Sequence, residues 1–528
     1  MSALLEAPPP HPALSSRLLS KEPDAWRLQS LPVRYRGAID HETHWRPLLR
    51  ELGEHTLFVG ATGSGKTTAM QLHMRSILPP HVRGFSANYR ALVYDAKTDM
   101  LPFFGEIGFT LEQHLILTNP FDERATAWNL AADITNVADS SAFSQLLVQK
   151  HPGDTNPFWQ NAARSLVSAT IDGLNVQHED GRSRYWDLRH LVLILDEPDL
   201  LREVLERTSQ GRSVLRASIQ TDDERTRSNV RSTVHENLAP YRLMAALWDH
   251  ARYSFSFDAW LRGGGIFLIG EHEKYEDEMR LVNNLLVRFA IATVMGRPGR
   301  IEHDLTWFYL DELKNAGTFP KFGSLLTKGR SKGLRAVLSV QGLSTLRATF
   351  REAEVHEVLN NCAEKCVMQL GTEADAKWAE GQFSTTRRVR LSRTKPEYAS
   401  PNDRGTVTYR EEKEPLVEER TFRELRSAQD TSRGLHAYYQ WRGGQHATNF
   451  VPAEVVERFM RPLPNVRVPR PFVPRSPVDY VLRELGSIDL EHLGLKRTIV
   501  TSGGTRTAPR EGGEGRRRFR VPPAPGGA

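Results

Sequence analysis

The chain of 528 residues is 39% hydrophobic and 25% charged, proportions typical of a globular protein with about two to four domains. No run of about 18 apolar residues occurs and the N-terminus lacks a signal-peptide pattern, so we expect a cytoplasmic protein without a transmembrane segment. The formal charge is +6, and residues 461–528 carry 13 Lys and Arg against 6 Asp and Glu, so the rest of the chain is close to neutral. That balance by itself does not indicate nucleic-acid binding.

Residues 1–50 are predicted to form an N-terminal arm. The stretch 56–70, TLFVGATGSGKTTAM, follows it and is predicted to form a strand, a glycine-rich loop and the start of a helix. The loop matches the phosphate-binding pattern G-x-x-x-x-G-K-[ST], known as Walker A. Its candidate ATP-binding residues are Gly60, Ala61, Thr62, Gly63, Ser64, Gly65, Lys66, Thr67 and Thr68.

The chemistry of this loop follows from its residue types. Glycines allow the backbone N–H groups to point inward at phosphates, and the positive end of the following helix faces the same anion. Lys66 is expected to reach the β- and γ-phosphates, and the Thr67 hydroxyl to ligate Mg²⁺. The alternative, an ordinary glycine turn, is disfavoured by the apolar strand and helix on either side.

Strands and helices alternate through most of the chain. The predicted strands are 91–95, 115–118, 265–269, 305–310, 336–340, 366–370 and 435–441, and the predicted helices include 158–174 and 279–295. This alternation predicts an α/β fold with a mostly parallel sheet. Residues 385–415 are polar and predict a hairpin or a loop.

The same survey predicts the domain organisation. Residues 51–174 and 256–460 form the two parts of a nucleotide-binding domain. Strand patterns disappear between 175 and 255, which predicts an all-helical insertion. Residues 461–528 are rich in Pro, Arg and Gly and are predicted to be disordered.

Only two cysteines occur, so neither a disulfide framework nor a four-cysteine zinc site can form. Cys362 and Cys366 are four residues apart, which predicts two small buried side chains on one helix face.

A nucleotide hydrolase needs acidic residues opposite the phosphate loop, and two strand-like segments end in Asp-Glu. The first, LVLILDE at 191–197, lies in the predicted helical insertion and is compatible with a helix, a turn and a second helix. The second, LTWFYLDE at 305–312, lies between sheet elements, so we favour Asp311 and Glu312. Asp311 would hold Mg²⁺ through water, and Glu312 would activate the attacking water.

Downstream, Arg330 lies at a basic helix end and Gln341 ends a predicted strand. From spacing alone, Arg330 is a solvated helix residue and Gln341 a polar strand end that could contact the γ-phosphate.

The run WFYLDELKNAGTFPKFGSLLTKGRSKGLRAVLSVQGLSTLR at 307–347 resembles the type IV secretion coupling proteins, the TraD/TraG class of the HerA/FtsK motor superfamily. Further matches are HTLFVGATGSGKTT, VYDAKTD, TNPFD and FDAWLRGGGIFLIG, in the same order, and the likeness spans about residues 50–460. It implies a RecA-like motor with an inserted helical domain, assembled as a homo-hexamer with DNA in its channel. It also implies that Arg330 is an arginine finger reaching a neighbour's nucleotide and that Gln341 is the γ-phosphate sensor.

The resemblance has two departures and leaves alternatives open. Coupling proteins usually carry two N-terminal membrane helices, which this sequence lacks, and their Asp-Pro-Lys-Gly is Asp95-Ala96-Lys97-Thr98 here. Peripheral attachment to the inner membrane and relaxase or secretion-channel partners therefore stay open. The alternatives to a DNA-pumping ATPase are a soluble DNA-processing or phage-defence ATPase and a DNA-independent secretion ATPase.

Phosphate contacts to single- or double-stranded DNA would come from Lys and Arg side chains. The candidates are Arg225, Arg227, Arg231, Lys328, Arg330, Lys332 and, in the tail, Arg516–Arg518. For each of the first six, a solvated helix face is the favoured alternative, whereas the tail arginines could bind DNA or anionic lipid or equally form a disordered, solubilising end.

Overall fold

The computed structural model describes residues 54–78, 90–95, 97–149, 158–176, 185–301, 304–313, 322–394, 406–425, 434–441 and 445–495, with residues 17–18 and 518–519. Most of the predicted arm 1–50, together with Arg516 and Arg517, lies outside the described residues. The chain divides into two compact units. Unit 1 comprises Met1–Ala96, Pro102–Phe109 and Val294–Val468, and unit 2 comprises Lys97–Leu101, Thr110–Thr293 and Pro469–Ala528.

The strands in chain order are β1 Arg17–Leu18, β2 Thr56–Val59, β3 Arg90–Asp95, β4 Leu115–Leu117, β5 Thr126–Trp128, β6 Tyr253–Phe255, β7 Gly265–Gly270, β8 Thr306–Leu310, β9 Leu334–Val340, β10 Glu364–Val367, β11 Thr385–Thr394, β12 Thr406–Pro415, β13 Leu435–Trp441, β14 Gln445–Val451 and β15 Arg518–Phe519.

The helices are α1 Lys66–Ile77, α2 Met100–Glu106, α3 Leu130–Asp133, α4 Val137–Leu147, α5 Phe158–Asn175, α6 Leu188–Asp196, α7 Pro198–Glu206, α8 Ser209–Val214, α9 Glu224–Asp249, α10 Phe257–Gly263, α11 Glu276–Met295, α12 Phe322–Gly329, α13 Leu343–Thr349, α14 Glu352–Asn361, α15 Glu373–Gln382, α16 Glu419–Arg423, α17 Ala453–Met460 and α18 Ser487–Leu493. None of the helices in the described ranges is long and apolar enough to span a membrane.

Unit 1 is built on a mostly parallel sheet. Parallel pairing gives the order β10-β2-β9-β8-β3, and β13 continues the sheet antiparallel to β10, followed by β14 and β1. Every residue of the five parallel strands is buried, as expected for strands covered on both faces. The predicted α/β class is confirmed. Because these strands run in one direction, the loops that follow β2, β8 and β9 emerge at one edge of the sheet.

The polar segment 385–415 forms a hairpin in its described part. Strands β11 and β12 pair antiparallel from Thr385–Pro415 to Thr394–Thr406. The hairpin option of the prediction is therefore correct, and residues 395–405 lie outside the described residues.

The two cysteines do not share a helix face. Cys362 follows the end of α14, whereas Cys366 lies within β10. Both are buried, as predicted, and burial raises the pKa of the Cys362 thiol to about 12. The helix expectation is wrong because α14 ends before the pair and the chain turns into the sheet.

Unit 2 contains helices packed around α5, together with the parallel pairs β4–β7 and β5–β6. Helix α5 contacts α4, α7, α8 and α9. Gly173 allows a close approach of α7, because a Cβ there would lie 2.3 Å from the Val204 carbonyl oxygen. The observed helical group is larger than the predicted insertion 175–255, since α4 and α5 belong to it.

The start of the C-terminal region is ordered, contrary to the predicted disorder of 461–528. Residues 469–495, here called the C-terminal strap, pack within unit 2 and bury Leu485, Leu490, Leu493 and Leu495. Three arginines each donate to two consecutive strap carbonyls, namely Arg124 to residues 470 and 471, Arg189 to 483 and 484, and Arg207 to 493 and 494. Composition did not reveal this docking because the partners lie hundreds of residues away along the chain.

Candidate nucleotide-binding site

The glycine-rich loop leaves the carboxyl end of β2 and turns into α1. Gly63 and Gly65 have φ of 78° and 99°, a left-handed conformation that glycine adopts without steric cost. Gly65 caps α1 without a side-chain hydrogen bond, so the first-turn N–H groups have no capping side chain. This loop and helix N-terminus have the geometry of an anion-binding site.

The Lys66 ammonium lies over the loop that precedes it. Its Nζ donates to the carbonyl oxygens of Gly60 at 2.7 Å and of Ala61 at 3.0 Å. These contacts hold the positive charge beside the loop N–H groups, where phosphate oxygens would bind.

Thr67 and Asp311 are brought together from distant parts of the chain. The Thr67 hydroxyl donates to Asp311 Oδ2 at 2.8 Å. Asp311 directly follows β8, and β9 separates β8 from β2. The hydrogen bond sets a carboxylate beside the hydroxyl that would ligate Mg²⁺, so Asp311 fits a role in holding a water of the hydrated ion.

Ser64 supplies a second indication of a ligand. Its hydroxyl oxygen is buried and makes no hydrogen bond within the described part of the chain. Buried hydroxyls are normally paired, so a phosphate oxygen would complete this one.

Glu312 and Gln341 form a polar pair at the same sheet edge. Gln341 Nε2 donates to Glu312 Oε1 at 2.5 Å. Glu312 has φ of 60°, an uncommon conformation for a residue with a side chain. Strained backbone of this kind is frequent at functional sites.

Arg330 lies at the other edge of the sheet. It begins the turn before β9, whereas Gln341 follows β9. A strand of this length spans about 23 Å at about 3.3 Å per residue, so Arg330 is remote from the phosphate loop of its own subunit. Its guanidinium pairs instead with Glu54, which the sequence did not point to.

The alternative acidic pair, Asp196 and Glu197, lies at the junction of two helices. Residues 188–196 form α6 and Pro198 begins α7, so Asp196 and Glu197 belong to the helices of unit 2. The prediction that LVLILDE reads as helix, turn and helix is confirmed.

Comparison with known proteins identifies the family. Residues 48–448 match the model of the type IV secretion-system coupling protein DNA-binding domain. The chain belongs to this coupling-protein family.

Solved structures of a coupling protein share its fold. The bacterial conjugative coupling protein TrwBdeltaN70 in an unbound form is 21% identical with a TM-score of 0.55, over 81% of this chain and 88% of that chain. The plasmid coupling protein TrwB in complex with ADP and Mg²⁺ is 20% identical with a TM-score of 0.54, over 82% and 90%. Among curated proteins, no sequence matches significantly. The protein described here therefore has the same fold as TrwB, a RecA-like P-loop NTPase fold.

The family match confirms the prediction of a type IV secretion coupling protein. Among the predicted DNA contacts of this coupling protein, Arg225, Arg231 and Lys328 are exposed. Lys332 is partly buried and donates to the carbonyl oxygens of Arg297 and Gly299, which favours a structural role for it.

Proposed function

We propose that this coupling protein is a Mg²⁺-dependent ATPase whose hydrolysis is stimulated by the DNA it moves. The 2.8 Å contact between Thr67 and Asp311 carries the proposal, because it joins the phosphate loop to the acidic strand end. A bound Mg²⁺ would neutralise charge on the β- and γ-phosphate oxygens.

The residues around this contact take separate roles. Lys66 would leave its loop carbonyls to bind the β- and γ-phosphates, which offer a charged partner in place of neutral ones. Asp311 would hold the hydrated Mg²⁺ and Thr67 would ligate it directly. Glu312 would accept a proton from the attacking water, and Gln341 would orient the Glu312 carboxylate.

The position of Arg330 supports a ring of subunits. An arginine at the sheet edge opposite the phosphate loop is too far from the nucleotide of its own subunit. In a homo-hexamer it would reach a neighbour's nucleotide, where a positive charge stabilises the transferring phosphoryl group. Relaxase and secretion-channel partners, and peripheral attachment to the inner membrane, belong to the same proposal.

ATP turnover with and without single- and double-stranded DNA tests the proposal. We expect Glu312→Gln to lower kcat by at least about 100-fold, the loss typical of general-base removal. Lys66→Ala should lower turnover at least as much, because it removes the positive charge that binds the β- and γ-phosphates. Glu197→Gln is the matched control, because it changes the same residue type in the alternative Asp-Glu pair, and it should retain full turnover. Hydrolysis that no DNA stimulates, or a Glu312→Gln enzyme as active as the control, would contradict the proposal.

A further inference from the structure

Arg330 and Glu54 meet at the amino-terminal edge of the unit 1 sheet. Glu54 precedes β2, and Arg330 precedes β9, the parallel neighbour of β2. Arg330 Nη1 lies 2.5 Å from Glu54 Oε2, with side-chain exposures of 44% and 11%. The carboxylate is thus well covered, while the guanidinium remains open to solvent.

Glu54 faces a second cation, Arg335. The β2–β9 register pairs Thr56 with Val337, so its extension sets Glu54 opposite Arg335. Arg335 is buried and donates to the carbonyl oxygens of Arg330 and Leu334 at 2.9 and 2.8 Å. Burial and, to a smaller extent, the charge of Arg330 lower the pKa of Arg335, Glu54 opposes both effects, and the resulting pKa is about 10. The negative charge of Glu54 therefore partly balances the positive charges of two guanidinium groups, those of Arg330 and Arg335.

The backbone that carries Arg330 is fixed independently of this pair. Lys332 Nζ donates to the Arg297 carbonyl at 2.6 Å, and Ile301 N donates to the Ser331 carbonyl at 2.8 Å. Gly333 has φ of 80°, and a Cβ there would lie 2.8 Å from the Asp304 carbonyl oxygen. A change of partner by Arg330 thus requires motion of its side chain alone.

We propose that Glu54 is a positioning residue: its carboxylate holds the Arg330 side chain within their own subunit. Arg330 then leaves Glu54 and binds the terminal phosphate of the nucleotide in a neighbouring subunit. This inference rests on the proposed role of Arg330 between subunits. A triphosphate carries more negative charge than one carboxylate, so it competes for the guanidinium. Because Arg335 stays beside Glu54, the carboxylate keeps a cation after Arg330 leaves, which lowers the cost of the exchange.

The test measures ATP turnover of the full chain without DNA. Glu54→Gln removes the charge and keeps the shape, so we expect kcat to rise about threefold to tenfold, as for loss of a half-exposed ion pair. The KM for ATP should change less than about twofold, since the phosphate loop is untouched. The turnover rate in the presence of DNA should stay unchanged, so the ratio of the rate with DNA to the rate without DNA falls.

Two further variants make the test specific. Glu54→Asp keeps the charge beside Arg335 but shortens the side chain, and it should give an intermediate rise even if Glu54→Gln folds poorly. Glu352→Gln is the matched control, because it removes a carboxylate from a surface ion pair with Arg347, and it should leave kcat unchanged. A DNA-independent kcat that is unchanged or lower in folded Glu54→Gln and Glu54→Asp would overturn the proposal.

Arg330→Ala separates this proposal from the one on which it rests. In an Arg330→Ala background, Glu54→Gln should have no effect. Full activity of Arg330→Ala alone would overturn the role of Arg330 and the exchange with it. An inactive Arg330→Ala together with an unaltered Glu54→Gln would overturn only the holding role of Glu54.

Discussion

Gln341 donates a hydrogen bond to Glu312 and so joins the ends of two adjacent parallel strands, β9 and β8. The bond holds the Glu312 carboxylate in one orientation although its backbone has a positive φ. A general base acts efficiently only when its oxygen is aligned with the proton it accepts.

We expect Gln341→Ala to lower kcat for ATP about 10- to 100-fold, because Glu312 loses its orienting donor. The KM should change by less than about threefold, since the glutamine does not hold the bound nucleotide in place. Steady-state turnover measures both constants. A large rise in KM at constant kcat would instead assign Gln341 to ground-state binding.

Asp311→Asn should raise the Mg²⁺ concentration needed for half-maximal turnover by about tenfold or more, because a neutral amide attracts the hydrated cation less strongly than a carboxylate does. Titration of Mg²⁺ at fixed ATP gives this value. Asp196→Asn, in the alternative acidic pair, is the control and should follow the native titration. An unaltered requirement in Asp311→Asn would remove Asp311 from the metal site.

Mixed rings test whether Arg330 acts between subunits. Arg330→Ala and Lys66→Ala subunits should each be inactive alone, whereas their mixture should regain part of the native activity, since some interfaces pair an intact loop with an intact arginine. Arg347→Ala subunits serve as an active control for mixing. Mixed rings that stay inactive while control mixtures work would show that Arg330 does not act on a neighbour.

The strap should detach more readily at high pH. Burial lowers the pKa of His190, but the Asp187 and Asp489 carboxylates outweigh it and raise the pKa to about 9, while Arg189 opposes them. The protonated ring therefore contributes stability fully below about pH 6.5, and that contribution is lost as pH rises through 9. The pKa of Asp489 is lowered, so its own contribution is lost only in acid.

Hydrogen exchange of residues 469–495 in the full chain measures this effect. Corrected for intrinsic rates, protection should fall about tenfold or more between about pH 6 and pH 9.5. His190→Gln should remove the pH dependence, whereas His235→Gln, at an exposed histidine, should keep it. Equal protection at both pH values would contradict the expected role of His190.

Two helical glycines should respond in opposite ways to alanine. Gly173→Ala places a Cβ against the Val204 carbonyl and should destabilise the protein by about 1–3 kcal/mol. Gly381→Ala meets nothing within 4 Å in α15 and should be neutral or stabilising by up to about 1 kcal/mol. Thermal unfolding of the two variants compares them, and similar shifts in Tm would disprove the contact between α5 and α7.

The elements that form the candidate nucleotide site were predictable because each is specified by a local pattern. The glycine spacing of 60–67 specifies the loop, and the apolar run before Asp311 specifies a buried strand end. Parallel pairing then places both at one edge of the sheet. The hydrogen bond from Thr67 to Asp311 depends in addition on the strand order β2-β9-β8, which the local patterns do not specify.

The missed features depend on contacts that no local pattern encodes. Glu54 meets Arg330 only because β2 and β9 are neighbours in the sheet. The strap has the composition of a disordered tail, yet Arg189 binds Asp489, which is 300 residues away. Cys362 and Cys366 are separated by the end of a helix that their spacing did not reveal.

The three arginines that hold the strap bind its main-chain oxygens, which every amino acid possesses. These main-chain contacts do not depend on the side chains of the strap, whereas its buried leucines and the Asp489 carboxylate contribute to docking through their side chains. Val478, Val481 and Ile488 are exposed by 68%, 64% and 41%, so substitutions at these positions should leave the main-chain contacts intact. The outer surface of the strap can therefore change in sequence while the contacts that attach it to the arginines remain.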